Sequence, residues 1–250
     1  MRIGLISDVH ANLPALEAVL RALHAHQIDH LLGLGDYVGY GGQPQEVIDL
    51  LRAEGVVSVQ GNHDRAICGQ MDATHYRESV REALEIHRFA LNTESIDYLS
   101  ALPLSLRSPQ FGLELGFTHG SPDVDRLESF PYIFSEADLL PLSRQFDSLP
   151  FVSFIGHSHL CKNFKFNKES SSEILKTRFS CLDPTHRYLI TIGSAGQPRD
   201  RDPRAVAGIY DTDQLSFEYL RVEYDISAAA RAIVTMGLSE QFARRLYLGV

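Results

Sequence analysis

Short apolar runs recur along the chain, and several of them end in a cluster of polar residues. The first run, Arg2-Ile3-Gly4-Leu5-Ile6, leads into Ser7-Asp8-Val9-His10. Three later runs lead into Gly35-Asp36, Gly61-Asn62-His63-Asp64 and Gly156-His157-Ser158-His159. A short apolar run bounded by glycine and polar residues is typical of a buried β-strand. We therefore predict four strands whose polar ends converge.

Helical periodicity separates the first three strands. Leucine recurs at helical spacing after Asn12, which predicts a helix that Asn12 caps and that ends near Gln27. A second helix is predicted from about Pro44 to Glu54, with Gly55 placed to end it. Strands that alternate with helices form right-handed crossovers in a parallel sheet. The first sheet is therefore predicted to be largely parallel.

Residues 65–103 form a predicted helical insertion. Helices are expected at about 76–91 and 94–102, where apolar residues again follow helical spacing. His75 and His87 lie in this segment without a neighbouring motif, so we interpret them as surface or core residues rather than as metal ligands. The insertion could form a surface for a partner or a cap over an active site.

Strand-like patterns dominate from residue 104 onward. Strands are predicted at 104–107 and 113–118, joined by a turn at 108–112, and the second of them leads into His119-Gly120-Ser121. The following loop carries Pro122 and Pro131, and it either lines a substrate pocket or crosses the surface. A helix is predicted at 136–146 with Ser135 as its cap.

Alternating apolar and polar residues after His159 predict half-buried antiparallel strands at 163–166, 188–192, 205–210 and 215–224. We expect these strands to form a second sheet. A closing helix is predicted at 227–236, and a further short one after Ser239. No repeat or linker divides the sequence, so residues 1–250 are expected to form a single domain.

The composition is that of a soluble globular protein and restricts its partners. The 250 residues are 44% hydrophobic and 22% charged, and no run approaches the roughly 18 apolar residues that span a membrane. A net charge of -9 argues against long nucleic acids, because duplex binding depends on a basic surface. A small phosphorylated substrate is compatible with this charge, since bound metals could supply positive charge locally.

Three cysteines, Cys68, Cys161 and Cys181, are widely spaced and form no Cys-x-x-Cys pair. Such cysteines are typical of reduced thiols. The sequence starts directly with a strand rather than with an export signal. We therefore expect a cytoplasmic protein that does not associate with a membrane.

The residues at the strand ends form a set of potential metal ligands. The set contains two carboxylates, an amide and five imidazoles: Asp8, His10, Asp36, Asn62, His63, His119, His157 and His159. Mixed imidazole and carboxylate ligands suit Mn, Fe, Ni, Co or Zn, whereas an all-oxygen set would suit Ca or Mg. A catalytic zinc typically takes about three protein ligands, so the number of donors predicts two metal ions.

Five motifs in this order resemble those of the calcineurin-like metallophosphoesterase superfamily. They are Asp-x-His, Gly-Asp-x-x-Gly, Gly-Asn-His-Asp, a lone His followed by Gly, and Gly-His-Ser-His, and they extend from Asp8 to His159. The resemblance implies an α/β fold, a four-layer α/β/β/α sandwich of two mixed sheets. It also implies that the metal site lies at the edge formed by the carboxyl ends of the strands.

The same resemblance assigns roles to the ligands. It implies three ligands for each ion: Asp8, His10 and His159 for the first, and Asn62, His119 and His157 for the second. Asp36 would bridge both ions. A bridging carboxylate holds two cations about 3.5–4 Å apart, where they can share a hydroxide that attacks the phosphoryl group in line.

The resemblance gives His63 and Asp64 a catalytic rather than a ligating role. His63 would protonate the leaving oxygen as a general acid, because imidazole titrates near neutral pH. Asp64 would orient or polarise the His63 ring and favour its protonated form.

The loop at 193–204 resembles the closing loop of the small bacterial single-domain members of the superfamily. These members are often described as phosphodiesterases or as diadenosine tetraphosphatase-like proteins. Arg199 in this loop could face the phosphate of a substrate or form a salt bridge within the loop. The relatives tend to carry Asn-Pro before Gly-Ser, whereas this chain has Thr191-Ile192.

These features predict a binuclear metal-dependent phosphoesterase that hydrolyses a small phosphodiester or phosphoanhydride. A phosphomonoesterase or protein phosphatase and a dinucleoside polyphosphate hydrolase share this chemistry and stay open. A nuclease is disfavoured by the acidic charge and by the lack of a basic tract. The alternative of another class is a non-catalytic metal-binding scaffold, as in a retromer subunit of similar fold.

Overall fold

Two β-sheets form the centre of the structure. The computed structural model describes residues 1–108, 114–169, 172–175, 183 and 185–250. Its strands are, in chain order, β1 (Arg2–Ile6), β2 (His30–Gly33), β3 (Val57–Ser58), β4 (Ser105–Ser108), β5 (Leu115–Thr118), β6 (Val152–Ile155), β7 (Cys161–Phe166), β8 (Ser172–Leu175), β9 (Arg187–Ile192), β10 (Ala205–Asp211) and β11 (Ser216–Val222). Its helices are α1 (Leu13–Ala25), α2 (Pro44–Ala53), α3 (Asn62–Ile67), α4 (Glu78–Ala90), α5 (Thr93–Ala101), α6 (Leu140–Arg144), α7 (Ile226–Thr235) and α8 (Glu240–Leu248).

The first sheet has the strand order β11-β10-β1-β2-β3. β2 lies parallel to both β1 and β3, as the alternation of strands and helices predicts. β10 lies antiparallel to β1, with Gly208 opposite Leu5, and β11 lies antiparallel to β10. The sheet is therefore mixed, and the prediction of a largely parallel first sheet is wrong for β10 and β11.

The second sheet has the strand order β4-β5-β6-β9-β7-β8. It contains the predicted strands 163–166 and 188–192 within β7 and β9. The prediction that 205–210 and 215–224 also belong to this sheet is wrong, because these residues form β10 and β11 of the first sheet. An alternating pattern indicates a half-buried strand but does not identify its neighbour, and here β10 pairs with β1 of the first sheet. The turn predicted at 108–112 lies largely outside the described residues.

Three apolar clusters separate four layers. The first cluster joins helices such as α1 and α7 to one face of the first sheet, through residues that include Leu16 and Ile233. The second lies between the sheets, where Phe154 of β6 packs against Tyr210 of β10 at a ring distance of 5.2 Å. The third covers the outer face of the second sheet with residues around α6, such as Leu142. The four-layer α/β/β/α sandwich is therefore confirmed.

The helical insertion contains both predicted helices, which are α4 and α5. The side chain of Asn92 caps α5 by accepting a hydrogen bond of 2.8 Å from the N–H of Ser95. His87 of α4 is fully buried, and its ring nitrogens contact the N–H of Gly39 at 3.0 Å and the C=O of Gly41 at 2.8 Å. His87 is therefore a core histidine with satisfied hydrogen bonds, as predicted.

The helix predicted at 136–146 is interrupted. Glu136–Leu139 form a 3₁₀ turn, α6 follows, and Phe146–Ser148 form another 3₁₀ turn. Pro141 near the start of α6 has no N–H, so it cannot donate a helical hydrogen bond to the preceding turn. Ser135 is the N-cap residue of the first turn, as predicted, and its N–H and hydroxyl donate to the Asp138 carboxylate at 2.8 and 3.0 Å.

Two of the three cysteines, Cys68 and Cys161, are free thiols, while Cys181 lies outside the described residues.

The helices α1 and α4 contain 13 residues each. No helix in the described part of the chain is long and apolar enough to cross a membrane.

Replacement of Phe154 by alanine should destabilise the whole fold, because this side chain is fully buried between the two sheets. The expected loss in the free energy of unfolding is about 3–5 kcal/mol. Phe89→Ala is the matched control, since Phe89 is 91% exposed and a surface substitution changes stability by about 0.5 kcal/mol or less. Urea denaturation measures both variants. Equal stability of the two would contradict the assigned sheet-to-sheet packing.

Candidate metal centre

The polar strand ends lie together at one edge of the two sheets. The residues concerned are Asp8, His10, Asp36, Asn62, His63, His119, His157 and His159. Every one of these side chains is buried, with at most 6% of its surface exposed. Three overlapping groups among them could hold a metal ion: Asp8 with His10 and His159, Asp36 with His119 and His157, and His10 with Asp36 and His63.

The backbone at this edge turns instead of continuing as strand. Asp8, His10, Asp36, His157 and His159 all have positive φ, between 47° and 65°. Asp8 and His10 are therefore not alternate residues of an extended strand, although the sequence places them two positions apart at the end of one. Left-handed conformations are uncommon for residues other than glycine, although Asp and His adopt them more often than most, and they persist where the surrounding structure imposes them. Here they aim side chains from separate strands at a common point.

Main-chain hydrogen bonds tie the turning segments to each other. The N–H of Asp8 donates to the C=O of Gly35, and the N–H of His10 donates to the C=O of Asp36, each at 3.0 Å. In the second sheet the N–H of Gly156 donates to the C=O of His119 at 2.9 Å. The segments after β1 and β2, and those after β5 and β6, are thereby held as pairs.

The first group has one carboxylate oxygen that faces two imidazoles. Oδ1 of Asp8 lies 3.1 Å from Nε2 of His159 and 3.9 Å from Nε2 of His10. The other oxygen, Oδ2, accepts hydrogen bonds from the hydroxyl of Ser7 at 2.6 Å and from the N–H of His157 at 3.0 Å. Oδ1 is buried and has no hydrogen-bond partner within the described residues. This orphaned oxygen fits a metal ligand.

The second group is centred on Asp36. Its Oδ2 lies 3.2 Å from Nε2 of His119 and 3.9 Å from Nε2 of His10, so that one oxygen faces both groups. Its Oδ1 accepts a hydrogen bond of 2.8 Å from the N–H of His63. Oδ1 of Asn62 lies 3.0 Å from Nε2 of His119 and completes this group.

Carbonyl groups fix the orientation of three imidazoles. Nδ1 of His10 lies 2.8 Å from the C=O of Val38. Nδ1 of His119 lies 2.6 Å from the C=O of Leu34, and Nδ1 of His159 lies 2.6 Å from the C=O of Gln197. A carbonyl only accepts, so each ring donates through Nδ1 and turns Nε2 toward the centre, where Nε2 offers a lone pair when the ring is neutral. This is the second contact that metal-binding histidines typically make.

Burial and mutual charge determine the ionisation of the cluster. Burial lowers the pKa of His10 and that of His157 well below the ordinary value, so both rings are neutral, as metal binding requires. Burial opposes ionisation of Asp36, yet the imidazoles around it, His119 first, hold its pKa well below the ordinary range. Burial likewise disfavours a charged His119, but the Asp36 carboxylate raises its pKa to about 9. A strong negative field therefore exists at Asp36, which suits a cation.

Asp64 does not contact the His63 ring, and the predicted orienting role is wrong. Its carboxylate accepts three main-chain hydrogen bonds, from the N–H groups of Asp36, Tyr37 and Gly61 at 2.8, 2.9 and 2.9 Å. Burial raises the pKa of Asp64 to about 7, and the Asp36 carboxylate acts in the same direction. Asp64 thus fixes the segment that carries Asp36 to the start of α3.

The ring of His63 lies among other aromatic rings. Its centroid is 4.9 Å from that of His10, 5.0 Å from that of Tyr40 and 5.5 Å from that of Tyr76. Nδ1 is buried without a hydrogen-bond partner in the described residues. Burial lowers the pKa of His63 to about 4. The negative charge of the Asp36 carboxylate acts in the opposite direction but does not outweigh burial. The largest effect that favours the protonated ring comes from Asp36 rather than from Asp64.

Arg199 lies beside the cluster rather than in a salt bridge of its loop. Its Nη2 donates to the side-chain oxygen of Gln197 at 2.8 Å, and its guanidinium lies 5.7 Å from the ring centroid of Tyr40. Nε is buried without a partner within the described ranges. Burial lowers the pKa of His159, and the charge of Arg199 adds to this effect. Its neighbour Arg204 pairs instead with Asp202 at 2.6 Å.

Three tyrosines surround the centre, and sequence reasoning missed all of them. Tyr40 and Tyr76 flank His63, while the ring of Tyr132 stacks on His157 at a centroid distance of 3.7 Å. Tyr132 belongs to the loop that carries Pro122 and Pro131, so this loop borders the centre. The glycines around Tyr40 could have indicated that this residue lies close to a ligand site. The sequence around Tyr76 contains no such indication.

The fold and the clustered donors define a two-sheet sandwich with residues at one edge that could hold metal ions. The family described as calcineurin-like phosphoesterase matches residues 1–182. The uncharacterized protein MJ0912 of Methanocaldococcus jannaschii is 33% identical over 253 residues, which cover 99% of this chain and 98% of that protein. The chain belongs to the calcineurin-like phosphoesterase family.

Solved structures agree with this assignment. The crystal structure of a metallophosphoesterase from Sphaerobacter thermophilus is 33% identical, with a TM-score of 0.80 and coverage of 100% of this chain and 99% of that chain. The hypothetical protein PH1004 from Pyrococcus horikoshii OT3 has the same TM-score of 0.80, at 19% identity and coverage of 100% of this chain and 98% of its own. The latter likeness supports the fold alone.

Tyr76→Phe should weaken metal binding at the group that contains Asn62. The amide nitrogen of Asn62 donates to the Tyr76 hydroxyl at 2.6 Å, which leaves the amide oxygen facing His119. Loss of such an orienting contact is expected to reduce metal affinity about 10- to 100-fold. Competition of the protein with a Mn²⁺ chelator measures this affinity. Tyr247→Phe, which removes an exposed hydroxyl, is the control, and equal affinities of the two variants would refute the orienting role.

Proposed function

We propose that the protein is a binuclear metal-dependent phosphoesterase that hydrolyses a small phosphodiester or phosphoanhydride. Two divalent or transition metal ions, from among Mn, Fe, Ni, Co and Zn, would share the Asp36 carboxylate. Each ion would have three further ligands: Asp8, His10 and His159 for the first, and Asn62, His119 and His157 for the second. Family membership and the clustered donors support this proposal.

The position of Asp36 Oδ2 is the observation that carries the proposal. This single oxygen lies 3.2 Å from Nε2 of His119 in one group and 3.9 Å from Nε2 of His10 in the other. A carboxylate oxygen in this position can serve both groups, as a site with two metals requires. Oδ1 is occupied by the N–H of His63 at 2.8 Å, so the side chain cannot turn away without loss of that bond.

The ions, when bound, would polarise the phosphoryl oxygens and lower the pKa of an attacking water. The side chains of the ligand set determine the net charge of the metal-loaded site. Asp8 and Asp36 are the two carboxylates of the ligand set, and its other members are neutral or imidazole side chains. Two negative charges against two divalent ions leave the centre positive, which suits an anionic phosphate.

His63 is proposed to donate the proton to the leaving oxygen. The ring lies at the cluster, within the group formed with His10 and Asp36, while its main-chain N–H fixes Asp36. Gly39 permits this placement, because a Cβ there would overlap Nδ1 of His63. A bound phosphate would bring negative charge to the ring and stabilise its protonated form.

Arg199 is proposed to contact the substrate phosphate. Its guanidinium has one hydrogen bond of 2.8 Å to Gln197 and a buried Nε without a partner in the described part of the chain. Guanidinium groups bind phosphate oxygens through paired N–H donors. The charge of Arg199 also reaches His63 and His159, as its effects on their pKa values indicate.

The proposed diesterase activity predicts turnover of bis-p-nitrophenyl phosphate by the Mn²⁺-loaded protein, with a higher kcat/KM than for p-nitrophenyl phosphate. Diadenosine tetraphosphate belongs in the same panel. A clear preference for the monoester would favour a phosphatase, and exclusive cleavage of the dinucleotide would favour a polyphosphate hydrolase. Absence of turnover on all three by protein of measured metal content would overturn the esterase proposal in favour of a metal-binding scaffold.

His63→Ala should separate metal binding from turnover. The variant is expected to keep both ions, because His63 is not among the proposed ligands, and to lose about 10²- to 10⁴-fold in kcat, the contribution of a positioned proton donor. His24→Ala, at a partly exposed position on α1, is the control. Metal analysis and single-turnover kinetics on the same sample check the result. Loss of one ion in His63→Ala would show that His63 is a ligand.

A further inference from the structure

Two stacked aromatic rings lie at the surface next to the metal centre. Tyr132 and Phe134 are each 45% exposed, and their ring centroids are 4.9 Å apart with an interplanar angle of 12°. Tyr132 also stacks on His157, with an interplanar angle of 16°. A run of nearly parallel rings therefore leads from a proposed metal ligand to the solvent.

The segment that carries these rings is fixed to the rest of the fold. Ile133, between them, is 3% exposed and belongs to the core under the second sheet. The C=O of Pro131 accepts from the N–H of Ser121 at 3.0 Å. The N–H of Phe134 donates to Asp138 at 2.9 Å, and its C=O accepts from Nζ of Lys162 at 2.6 Å. Alternation along this segment places Tyr132 and Phe134 opposite the buried Ile133.

An exposed aromatic pair of this kind is suited to a third flat ring. Exposed apolar surface is unfavourable in water, and stacking removes it with little loss of side-chain freedom. Nucleobases stack on tyrosine and phenylalanine regardless of sequence, because every base has a π-face. The ring pair is therefore preorganised for a planar aromatic group.

The surrounding charge matches the rest of a nucleotide. The charge of Arg199 reaches Tyr132, and Lys162 binds the main chain of Phe134. Arg199 and Lys162 therefore bring positive charge to the ring pair, at the border of a centre that would bind phosphate. A ligand with a planar base and a phosphate a few bonds away combines the two kinds of group that these aromatic and cationic side chains can bind.

We infer that Tyr132 and Phe134 form a platform on which the nucleobase of a nucleoside 5′-phosphate ester stacks while its phosphate occupies the metal centre. The inference rests on the proposed phosphoesterase function and names the substrate class. Phe134 is the specificity-determining residue to test, because Tyr132 contacts the proposed ligand His157 directly.

The test compares two esters that release the same p-nitrophenolate: the p-nitrophenyl ester of thymidine 5′-phosphate and p-nitrophenyl ethyl phosphate. Phe134→Leu in the Mn²⁺-loaded protein should raise KM for the nucleotide ester about 5- to 100-fold. Its KM for the ethyl ester, which shares the p-nitrophenyl ring but carries no nucleobase, should rise by a clearly smaller factor or stay the same. Phe89→Leu, at a position 91% exposed on α4, is the matched control and should alter neither value.

An unchanged KM for the nucleotide ester, or an equal rise for both esters, would overturn the platform while the esterase activity stands. If the parent protein cleaves neither ester, the proposed diesterase activity fails, and the platform is tested by titration with thymidine 5′-phosphate. Weaker binding by Phe134→Leu than by Phe89→Leu would then support it. Equal dissociation constants would overturn it.

Discussion

The position of one carboxylate, that of Asp36, organises the centre. Its Oδ2 faces His119 and His10, and its Oδ1 is held by the N–H of His63. Its own N–H donates to Asp64, and its C=O accepts from the N–H of His10. The segments after β1, after β2 and at the start of α3 are therefore linked through this residue. Displacement of Asp36 would disturb every one of these contacts.

The fold makes this arrangement possible by close approach of the main chain. A Cβ on Gly61 would overlap the Asp36 carboxylate, and a Cβ on Gly156 would overlap the hydroxyl of Ser7, which holds Asp8. Left-handed conformations at Asp8, Asp36 and His157 cost conformational energy. Apolar packing between the sheets and under the helices offsets this cost. The same packing keeps the carboxylates and imidazoles away from water. Their mutual attraction is stronger in the protein interior, because the effective dielectric constant is lower there.

The sequence predicts much of this centre because the donors follow apolar strands in a fixed order. Asp8, Asp36, His119 and His157 are recognisable as a set because each follows an apolar strand, and the layered fold is implied by the family resemblance of the ordered motifs. The partners of β10 and the role of Asp64 were not predictable, since both depend on which segments meet in space. A half-buried strand pattern suits either sheet. A carboxylate beside a histidine in sequence can equally bind main-chain N–H groups, as Asp64 does. Tyr76 and Tyr132 reach the centre from distant loops, which no local pattern indicates.

A crystal structure of the Mn²⁺-loaded protein with anomalous scattering data shows whether two ions share Asp36. We expect two anomalous peaks about 3.5–4 Å apart, on either side of Asp36 Oδ2. One peak would lie near Asp8, His10 and His159, and the other near Asn62, His119 and His157. A single peak, or two peaks of which only one contacts Asp36, would show that this carboxylate does not bridge two ions.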